Sequence, residues 1–303
     1  MKVIKLDKTC LFEEKIALCL GYFDGLHKGH LALINKAKES GYKVALLTFD
    51  VSPKQYLNNL QFNVILDEQQ RNELLNDAEV DYLLIQKFDE NFSNMSTKDF
   101  INYLKNLNPS LLVVGYDYRF GKNAKGDVSL LKEHFKVIEV EQVKDEKGKY
   151  STSRIMSSLE IGNIDDVTFV LGRFYSINGK VVKGLQNGGK IGFKTANMEL
   201  KAPYYLPRKG VYACFAYVDD KQYYAMVNVG VHPTIDKLNE TIVEVHLLDF
   251  DSNIYEKEIR IEFVKFIRDE RLFKTLDELI AQLKNDKEVI RNLLSHPRIR
   301  IKY

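Results

Sequence analysis

The first half of the chain alternates short apolar runs with segments of helical periodicity. Five runs rich in valine, leucine and isoleucine have the length of buried strands. These runs are residues 16–23, 43–50, 81–88, 111–118 and 135–143. Between them, apolar residues recur every three or four positions, as on one face of a helix. Because strands that alternate with helices pair in parallel, this half predicts a parallel sheet covered on both faces.

Helix starts can also be read from this half. Ser96 with Asp99, and Asp67 with Gln70, have the spacing of a capping side chain and its partner. Each pair predicts a helix that begins there.

Three polar loops follow the predicted strands, at residues 21–25, 48–53 and 115–127, and the first and third contain glycine. In parallel sheets the carboxyl ends of neighbouring strands meet at one edge, and ligands bind there. We therefore expect the three loops to converge on a ligand-binding edge.

The stretch LCLGYFDGLHKGHLALINKA contains two of the six histidines of the chain. An apolar run ends at Gly21, turns through residues 23–25, and places His27 and His30 at the start of a helix. Unpaired N–H groups at a helix start, approached through glycines, bind phosphate well. A zinc pair or two surface histidines are the alternatives, although zinc would need two more ligands and no nearby Cys/His pair supplies them.

The loop GYDYRFGKNAKGD, residues 115–127, carries three cations among three glycines. Arg119, Lys122 and Lys125 could clamp a polyphosphate at the end of a strand. The alternative is a basic turn that is simply solvated.

The second half of the chain has a different pattern of predicted secondary structure. From Phe174 onward, short strand-like segments follow one another at about ten-residue spacing, which predicts an antiparallel barrel. The segments VDDKQYY and FDSNIY are typical of hairpin connections. Thr275 with Glu278 predicts the start of a C-terminal helix. We place the two domains at residues 1–155 and 165–303.

Composition narrows the function classes. The net charge of +2 gives no electrostatic reason to expect nucleic acid or a membrane surface. The three cysteines are odd in number and scattered, which suits a reducing compartment. No run reaches the roughly 18 apolar residues of a membrane span. We expect a cytoplasmic protein, a monomer or a weak homo-oligomer, with small-molecule partners.

Two groups of polar residues stand out in the second half. Thr195 and Asn197 are two apart, so on a strand they share a face, and their oxygens suit Mg²⁺ bridging ATP phosphates. In TIVEVHLLDFD, Val243 and Val245 form a core face, and Glu244 lies on the opposite face. A carboxylate there could accept a proton from a substrate hydroxyl. A polar strand face and a solvated glutamate are the ordinary alternatives.

The motifs of the first half resemble a known module. G-Y-F-D-G-L-H-K-G-H, then T-F-D, then V-V-G-Y-D-Y-R-F-G-K-N-A-K-G-D are similar to the FMN adenylyltransferase module of prokaryotic bifunctional riboflavin kinase/FAD synthetases. The resemblance implies a Rossmann-like nucleotidyltransferase domain, in which His27 and His30 stabilise charge as the α-phosphate is attacked. The ATP-binding residues that it implies are Gly21, Phe23, Asp24, Gly25, His27, His30, Asp117, Arg119 and Arg154. Met156 stands where the family has an arginine.

The second half resembles the riboflavin kinase module of the same family. The strings that carry the resemblance are LGRFYSINGKVVKG, G-F-K-T-A-N, LPRKGVYA, VNVGVHPT, EVHLLDFDSNIYEKEI and FIRDERLFKTLDELIAQLKND. It implies that Thr195 and Asn197 bind Mg²⁺ and that Glu244 is the base activating the ribityl hydroxyl. The implied ATP-binding residues are Gly188, Lys190, Gly192, Thr195 and Asn197, and the implied flavin-binding residues are Arg268 and Phe273. The sequence departs from the family pattern at Lys194 for proline, Gly189 for arginine and Glu256 for glycine.

The resemblance covers nearly the whole chain and implies two reactions. Riboflavin, ATP and Mg²⁺ would give FMN in the barrel, and FMN with a second ATP would give FAD and pyrophosphate in the first domain. Two alternatives remain open. Met156 motivates an enzyme that is only a kinase, and loss of both activities would leave a flavin-binding regulatory protein.

Overall fold

The computed structural model describes residues 1–6, 12–182, 193, 195–231 and 241–296. The chain divides into two compact units. The first comprises Met1–Asn63 and Glu68–Ser151, and the second comprises Val64–Asp67 and the chain from Thr152 onward. None of the helices in these described ranges combines the length and apolar character needed to cross a membrane.

The first unit is built on a six-stranded sheet in which every pairing is parallel. Its strands are β1 (Lys2–Leu6), β2 (Ile16–Leu20), β3 (Lys43–Phe49), β4 (Tyr82–Gln86), β5 (Leu111–Gly115) and β6 (Val137–Val140). Their order across the sheet is β1-β4-β3-β2-β5-β6. The predicted parallel sheet is therefore confirmed, and β2, the central element of the ligand edge, is buried along its whole length.

The described residues of this unit also form six α-helices, a short 3-10 helix at Lys122–Ala124 and a short hairpin. The helices are α1 (Lys28–Lys38), α2 (Pro53–Leu57), α3 (Glu68–Asp77), α4 (Glu90–Ser93), α5 (Thr97–Leu107) and α6 (Val128–Lys132). The hairpin strands are β7 (Lys144–Asp145) and β8 (Gly148–Lys149). Ser96 caps α5 as predicted, because its hydroxyl accepts the N–H of Asp99 at 3.1 Å. Helix α3 begins directly after Asp67.

The edge strand β1 has no counterpart in the sequence prediction. Its sequence KVIKL combines two lysines with three apolar residues and is largely exposed, with only Leu6 buried. Edge strands often carry lysines, which keep them from pairing with other chains. A strand of this composition is not predicted from apolar runs, because its lysines interrupt the run.

The described residues of the second unit form a closed antiparallel barrel and three helices. The helices are α7 (Thr152–Glu160), α8 (Ile164–Leu171) and α9 (Leu276–Leu294). The strands are β9 (Tyr175–Val182), β10 (Ala196–Leu200), β11 (Gly210–Val218), β12 (Lys221–Val231), β13 (Thr241–Leu247) and β14 (Glu258–Arg268). The order around the barrel is β10-β13-β12-β11-β14-β9. The predicted barrel and C-terminal helix are confirmed, and Thr275 caps α9 by accepting the N–H of Glu278 at 3.2 Å.

One of the two predicted hairpins is present and the other is not. Asp219 and Asp220, at φ of 49° and 59°, form the tight turn that joins β11 to β12. The segment FDSNIY was predicted as a hairpin connection, and this prediction was wrong. It leads from β13 to β14, but β13 pairs with β10 and β12, whereas β14 pairs with β11 and β9. The strands next to β13 and β14 are determined by the closure of the barrel and not by the residues of the turn between them.

The barrel has an inner core and an outer face covered by α9. Val227 and Val245 pair across β12 and β13 and are almost completely buried inside the barrel. Met226 points the other way and packs in one cluster with Ile290 and Leu294 of α9. Even-numbered positions of β12 and β13 therefore lie on the outer face, where α9 packs.

Candidate functional sites

The ligand edge of the first unit brings together the three predicted loops. The strands that precede them, β3, β2 and β5, are neighbours in the sheet. Gly21 donates its N–H to the carbonyl of Leu47 at 3.2 Å, so the end of β2 stays paired with β3 up to the loop. The prediction that these loops converge on one edge follows from this strand order.

The turn from β2 into α1 needs backbone that is rare outside glycine. Gly25 and Leu26 have φ of 79° and 39°, both in the left-handed region. Phe23 is 1% exposed and anchors the turn, and its ring contacts the ring of His30 at 5.1 Å between centroids. Asp24 is also buried, at 6% exposure. The buried side chains of Phe23 and Asp24 thus anchor the turn, which sets the position at which α1 starts.

His27 and His30 form a stacked pair at this helix start. Their ring centroids are 3.8 Å apart and their planes differ by 17°. His27 is the N-cap of α1, and its Nδ1 accepts the N–H of His30 at 3.3 Å. Because Nδ1 accepts, a neutral His27 carries its proton on Nε2, which is then a donor. His27 is only 6% exposed, so the alternative of two surface histidines does not describe it.

The backbone beside this pair is crowded. A Cβ at Gly29 would lie 3.0 Å from the ring of His27 and 3.2 Å from the carbonyl oxygen of Tyr150. Glycine at this position therefore lets the helix start pack against the histidine. Within the described ranges, no group of three or more His, Cys, Asp or Glu side chains could hold a metal ion. The described part of the chain gives no support to the zinc alternative.

The loop 115–127 presents its charges in different ways. Asp117 pairs with Lys149 of the β7–β8 hairpin, and Arg119 pairs with Asp127 at 3.3 Å. Lys122 and Lys125 are exposed. Of these three cations, Arg119 has the best-defined position, because its partner Asp127 is held in place as the N-cap of α6.

Phe120 anchors that loop to the core. It is 5% exposed, stacks on Phe100 at 4.8 Å, and exchanges two backbone hydrogen bonds with Gly126. A Cβ at Gly126 would lie 2.5 Å from the Phe120 ring. The loop is therefore closed on itself, with its cations on the outside.

Arg154 belongs to the second unit, where it is already engaged. Its Nε and Nη2 donate to the two carboxylate oxygens of Asp166 at 3.0 and 2.7 Å. Ser158 donates to the same carboxylate at 2.8 Å. This bidentate pair ties α7 to α8, and a phosphate would have to compete with it. Met156, on the same helix, offers no cation.

In the second unit, Glu244 has an amide side chain on each side. Antiparallel pairing sets Asn197 of β10 directly opposite Glu244 and sets Asn228 of β12 opposite it on the other side. Directly paired residues point to the same face of a sheet, so the three side chains form a row on the outer face. Glu244 is half-buried there. The predicted metal ligand and predicted base are thus brought together, whereas Asn228 was not predicted.

Asn228 is held by a second unpredicted residue. Its Nδ2 donates to Glu270 Oε1 at 3.3 Å, and its Oδ1 is buried with no hydrogen-bond partner among the described residues. A Cβ at Gly230 would lie 2.4 Å from Glu270 Oε1, so glycine makes room for that carboxylate. The signal was available in the string VNVGVHPT, where a polar residue interrupts an apolar strand two positions before a glycine.

Thr195 lies at the edge of a cavity of about 360 Å³. The cavity lies between β10, β13 and the loop that follows β13. Its lining residues are Thr195, Ala196, Val245, Leu247, Phe250, Asp251, Ser252, Asn253, Ile254 and Tyr255. The lining is mostly apolar and aromatic with a few polar groups, which suits a planar heterocycle. The loop residues 250–255 were not predicted to bind a ligand.

Arg268 and Phe273 lie close together near the start of α9. The Arg268 guanidinium lies 5.9 Å from the centroid of the Phe273 ring. Arg268 also donates to the buried Asp286 of α9 at 2.8 Å, which fixes it against the helix. Phe273 lines a groove of about 530 Å³ with Leu272, whose side chain is fully exposed.

Three predicted ATP-binding residues, Gly188, Lys190 and Gly192, lie outside the described residues, as do the family departures at Gly189 and Lys194. Glu256 is described and has φ of 67°, a backbone conformation that glycine adopts more readily.

Comparison with known proteins covers both units. The FAD synthetase family model matches residues 11–159, and the riboflavin kinase family model matches residues 171–294. A protein of Bacillus subtilis (strain 168) named bifunctional riboflavin kinase/FMN adenylyltransferase is 34% identical over 297 residues, covering 91% of this chain and 92% of that protein. The protein of the same name from Listeria monocytogenes is 32% identical over 303 residues, covering 95% of this chain and 96% of that protein.

A solved structure shares the fold over nearly its whole length. It is a Streptococcus pneumoniae chain described as a macrolide-efflux protein. It is 33% identical, with a TM-score of 0.89, and the match covers 96% of this chain and 99% of that chain.

Proposed function

Since the chain belongs to the bifunctional riboflavin kinase/FMN adenylyltransferase family, we propose that each unit carries one of its two reactions. Riboflavin is phosphorylated on the outer face of the barrel, around Glu244. AMP is then transferred to FMN at the corner formed by His27 and His30. The observation that carries this proposal is the row of Asn197, Glu244 and Asn228, because a carboxylate that could act as a base lies there between two amides on paired strands.

In the kinase reaction, Glu244 acts as the general base. Its carboxylate accepts the proton of the terminal ribityl hydroxyl as that oxygen attacks the γ-phosphate of ATP, and ADP leaves. Positioning is the larger part of such catalysis, since phosphoryl transfer needs little covalent help from the protein. The flanking Asn197 and Asn228 restrict the carboxylate to the outer face, where the hydroxyl arrives.

The oxygen donors beside Glu244 fit a divalent cation. The Thr195 hydroxyl and the Asn197 amide are hard oxygen ligands, and few in number, as suits Mg²⁺ that keeps most of its waters. When bound, Mg²⁺ neutralises charge on the β- and γ-phosphates of ATP. Asn197 of β10 and Thr195, which directly precedes that strand, would hold it.

The cavity next to Thr195 accommodates the adenine of ATP. Phe250, Ile254 and Tyr255 offer apolar and aromatic surface to the ring, and Thr195 also lines this cavity. The γ-phosphate then lies toward Glu244. Riboflavin binds from the side of Arg268 and Phe273, where Leu272 offers an exposed apolar surface to the isoalloxazine ring.

In the adenylyl transfer, a phosphate oxygen of FMN attacks the α-phosphorus of ATP and pyrophosphate leaves. Gly21 and Gly25 let the phosphates approach the backbone, and the N–H groups at the start of α1 face them. Nε2 of His27 donates to the charged oxygens, and His30, stacked on it, contributes a second imidazole. Phe23 and Asp24 hold the turn, and Asp117 and Arg119 border the site from the neighbouring loop. Arg154 is a weaker candidate for phosphate contact, because its guanidinium is already paired with Asp166.

A product analysis tests this division of labour. The purified chain is incubated with riboflavin, ATP and Mg²⁺, and riboflavin, FMN and FAD are separated by chromatography. FAD is the expected end product. Accumulation of FMN without FAD would indicate an enzyme that is only a riboflavin kinase. Unchanged riboflavin would favour a flavin-binding regulatory protein.

A further inference from the structure

The first turn of α3 lies at the ligand edge of the first unit. Helix α3 precedes β4, and β4 runs parallel to β3. A crossover helix between parallel strands returns from the carboxyl edge of the sheet to its amino edge. The start of α3 is therefore at the same edge as the loop 21–25. Arg71 is in that first turn.

The side chain of Arg71 reaches toward the turn that precedes α1. Burial raises the pKa of Tyr22, Asp24 and Asp50 raise it further, and the positive charge of Arg71 lowers it. The positive charge of Arg71 thus acts on the Tyr22 hydroxyl at this edge of the sheet. Tyr22 is part of the G-Y-F-D-G string, immediately beside the phosphate-binding corner.

The guanidinium has an unused donor. Arg71 is half-buried, and its Nε is screened from solvent with no hydrogen-bond partner among the described residues. A buried guanidinium N–H without an acceptor is unfavourable, because water no longer hydrates it. An anion bound at this edge would supply the acceptor. Arg71 is the one cation of α3, whose other residues are acidic, amide or apolar.

We propose that Arg71 binds a phosphate group of the adenylyltransferase substrates, and so supplies positive charge that Met156 does not. The proposal rests on the placement of this reaction at the His27–His30 corner. The phosphate belongs either to ATP or to FMN, and the two are separable by kinetics. A planar guanidinium with several donors suits this task, since it contacts phosphate oxygens in pairs.

The test uses the full chain with Arg71→Gln, which removes the charge and keeps a polar side chain of similar reach, and with Arg71→Lys. The control is Lys105→Gln, which removes an exposed cation from the last turn of α5, at the other edge of the sheet. Conversion of FMN to FAD is measured while ATP and FMN are varied in turn. Conversion of riboflavin to FMN is measured in the same preparations as an internal standard of folding.

For Arg71→Gln we expect kcat/KM for adenylyl transfer to fall roughly ten- to one-hundred-fold, the effect of losing a charge-assisted hydrogen bond. Arg71→Lys should lower kcat/KM for adenylyl transfer less than Arg71→Gln does, and Lys105→Gln should leave it unchanged. A higher KM for ATP alone identifies the ATP phosphates, and a higher KM for FMN alone identifies the FMN phosphate.

Two results would overturn the proposal. One is adenylyl transfer by Arg71→Gln within about twofold of the unchanged chain. The other is an equal loss in Arg71→Gln and Arg71→Lys accompanied by a lower melting temperature, which indicates a structural role. His30→Ala is measured alongside: if it retains FAD formation, the placement of the site fails, whatever Arg71 does.

Discussion

Asn197 and Glu244 lie directly opposite each other on paired antiparallel strands, β10 and β13. Side chains of such a pair are only about 5 Å apart at their Cβ atoms. Under our proposal, Asn197 as a metal ligand and Glu244 as the general base would therefore address the same phosphoryl group. Metal binding would then depend on one strand and proton removal on its neighbour.

Asn197→Ala should raise the Mg²⁺ concentration needed for FMN formation, because an oxygen ligand is lost. We expect the rate at limiting Mg²⁺ to fall roughly ten- to one-hundred-fold. The measurement is the initial rate of FMN formation across a Mg²⁺ titration. Glu199→Gln is the matched control, since Glu199 is exposed two residues further along β10. An unchanged titration curve for Asn197→Ala would refute its assignment as a ligand.

The contact between Asn228 and Glu270 should support phosphorylation without taking part in metal binding. Gly230→Ala places a Cβ 2.4 Å from the present position of Glu270 Oε1, so that carboxylate must move and its bond to Asn228 is lost. We expect slower riboflavin phosphorylation, at saturating Mg²⁺, and unaltered adenylyl transfer. A double-mutant cycle with Glu270→Ala isolates the cause. If Gly230→Ala slows the reaction equally when Glu270 is already absent, the clash is not the reason.

Gly29→Ala should impair adenylyl transfer through the position of His27. The new Cβ would lie 3.0 Å from the His27 ring and 3.2 Å from the Tyr150 carbonyl, so the ring must shift out of its stack with His30. A displacement of this size at a reacting group costs up to about one-hundred-fold in rate. Lys36→Ala, an exposed change on the same helix, is the control. FAD formation at a normal rate in Gly29→Ala would show that the stacked geometry is dispensable.

The buried Glu262 should make the stability of the barrel depend on pH. Desolvation raises the pKa of its carboxyl, and nearby Arg260 and the Tyr217 hydroxyl only partly oppose this. The folded state therefore holds the proton more tightly than the unfolded chain, and stability falls as pH rises from the ordinary carboxyl range through the raised pKa. Glu262→Gln stays neutral, so its melting temperature relative to the unchanged protein should rise as the pH increases above the ordinary carboxyl range. Melting curves of both proteins recorded side by side would contradict this if the difference stayed constant.

The fold was largely readable because its elements have strong local signals. The parallel sheet follows from buried runs such as residues 16–20, and the barrel follows from closely spaced short strands. Local signals do not decide which strands become neighbours. The hairpin predicted at FDSNIY was wrong for that reason, because ring closure of the barrel separates β13 from β14.

The candidate sites were readable only in part. Glu244 could be placed on the outer face from the alternation of its strand, but Asn228 emerges only once β12 is paired with β13. Arg71 likewise gave no signal, since a single arginine in a polar helix is ordinary in sequence. Its significance depends on the edge of the sheet at which the helix begins. The pairing of Arg154 with Asp166 also depends on the packing of two helices, which no local sequence signal predicts.

The most direct test of two separate sites compares Glu244→Gln with His30→Ala in the same product analysis. Each protein is given riboflavin, ATP and Mg²⁺ in one reaction and FMN, ATP and Mg²⁺ in another, and the flavins are separated by chromatography. Glu244→Gln should fail to convert riboflavin but should still convert FMN to FAD. His30→Ala should convert riboflavin and accumulate FMN. Loss of both conversions in either protein, with its fold intact by circular dichroism, would contradict the account of two independent sites.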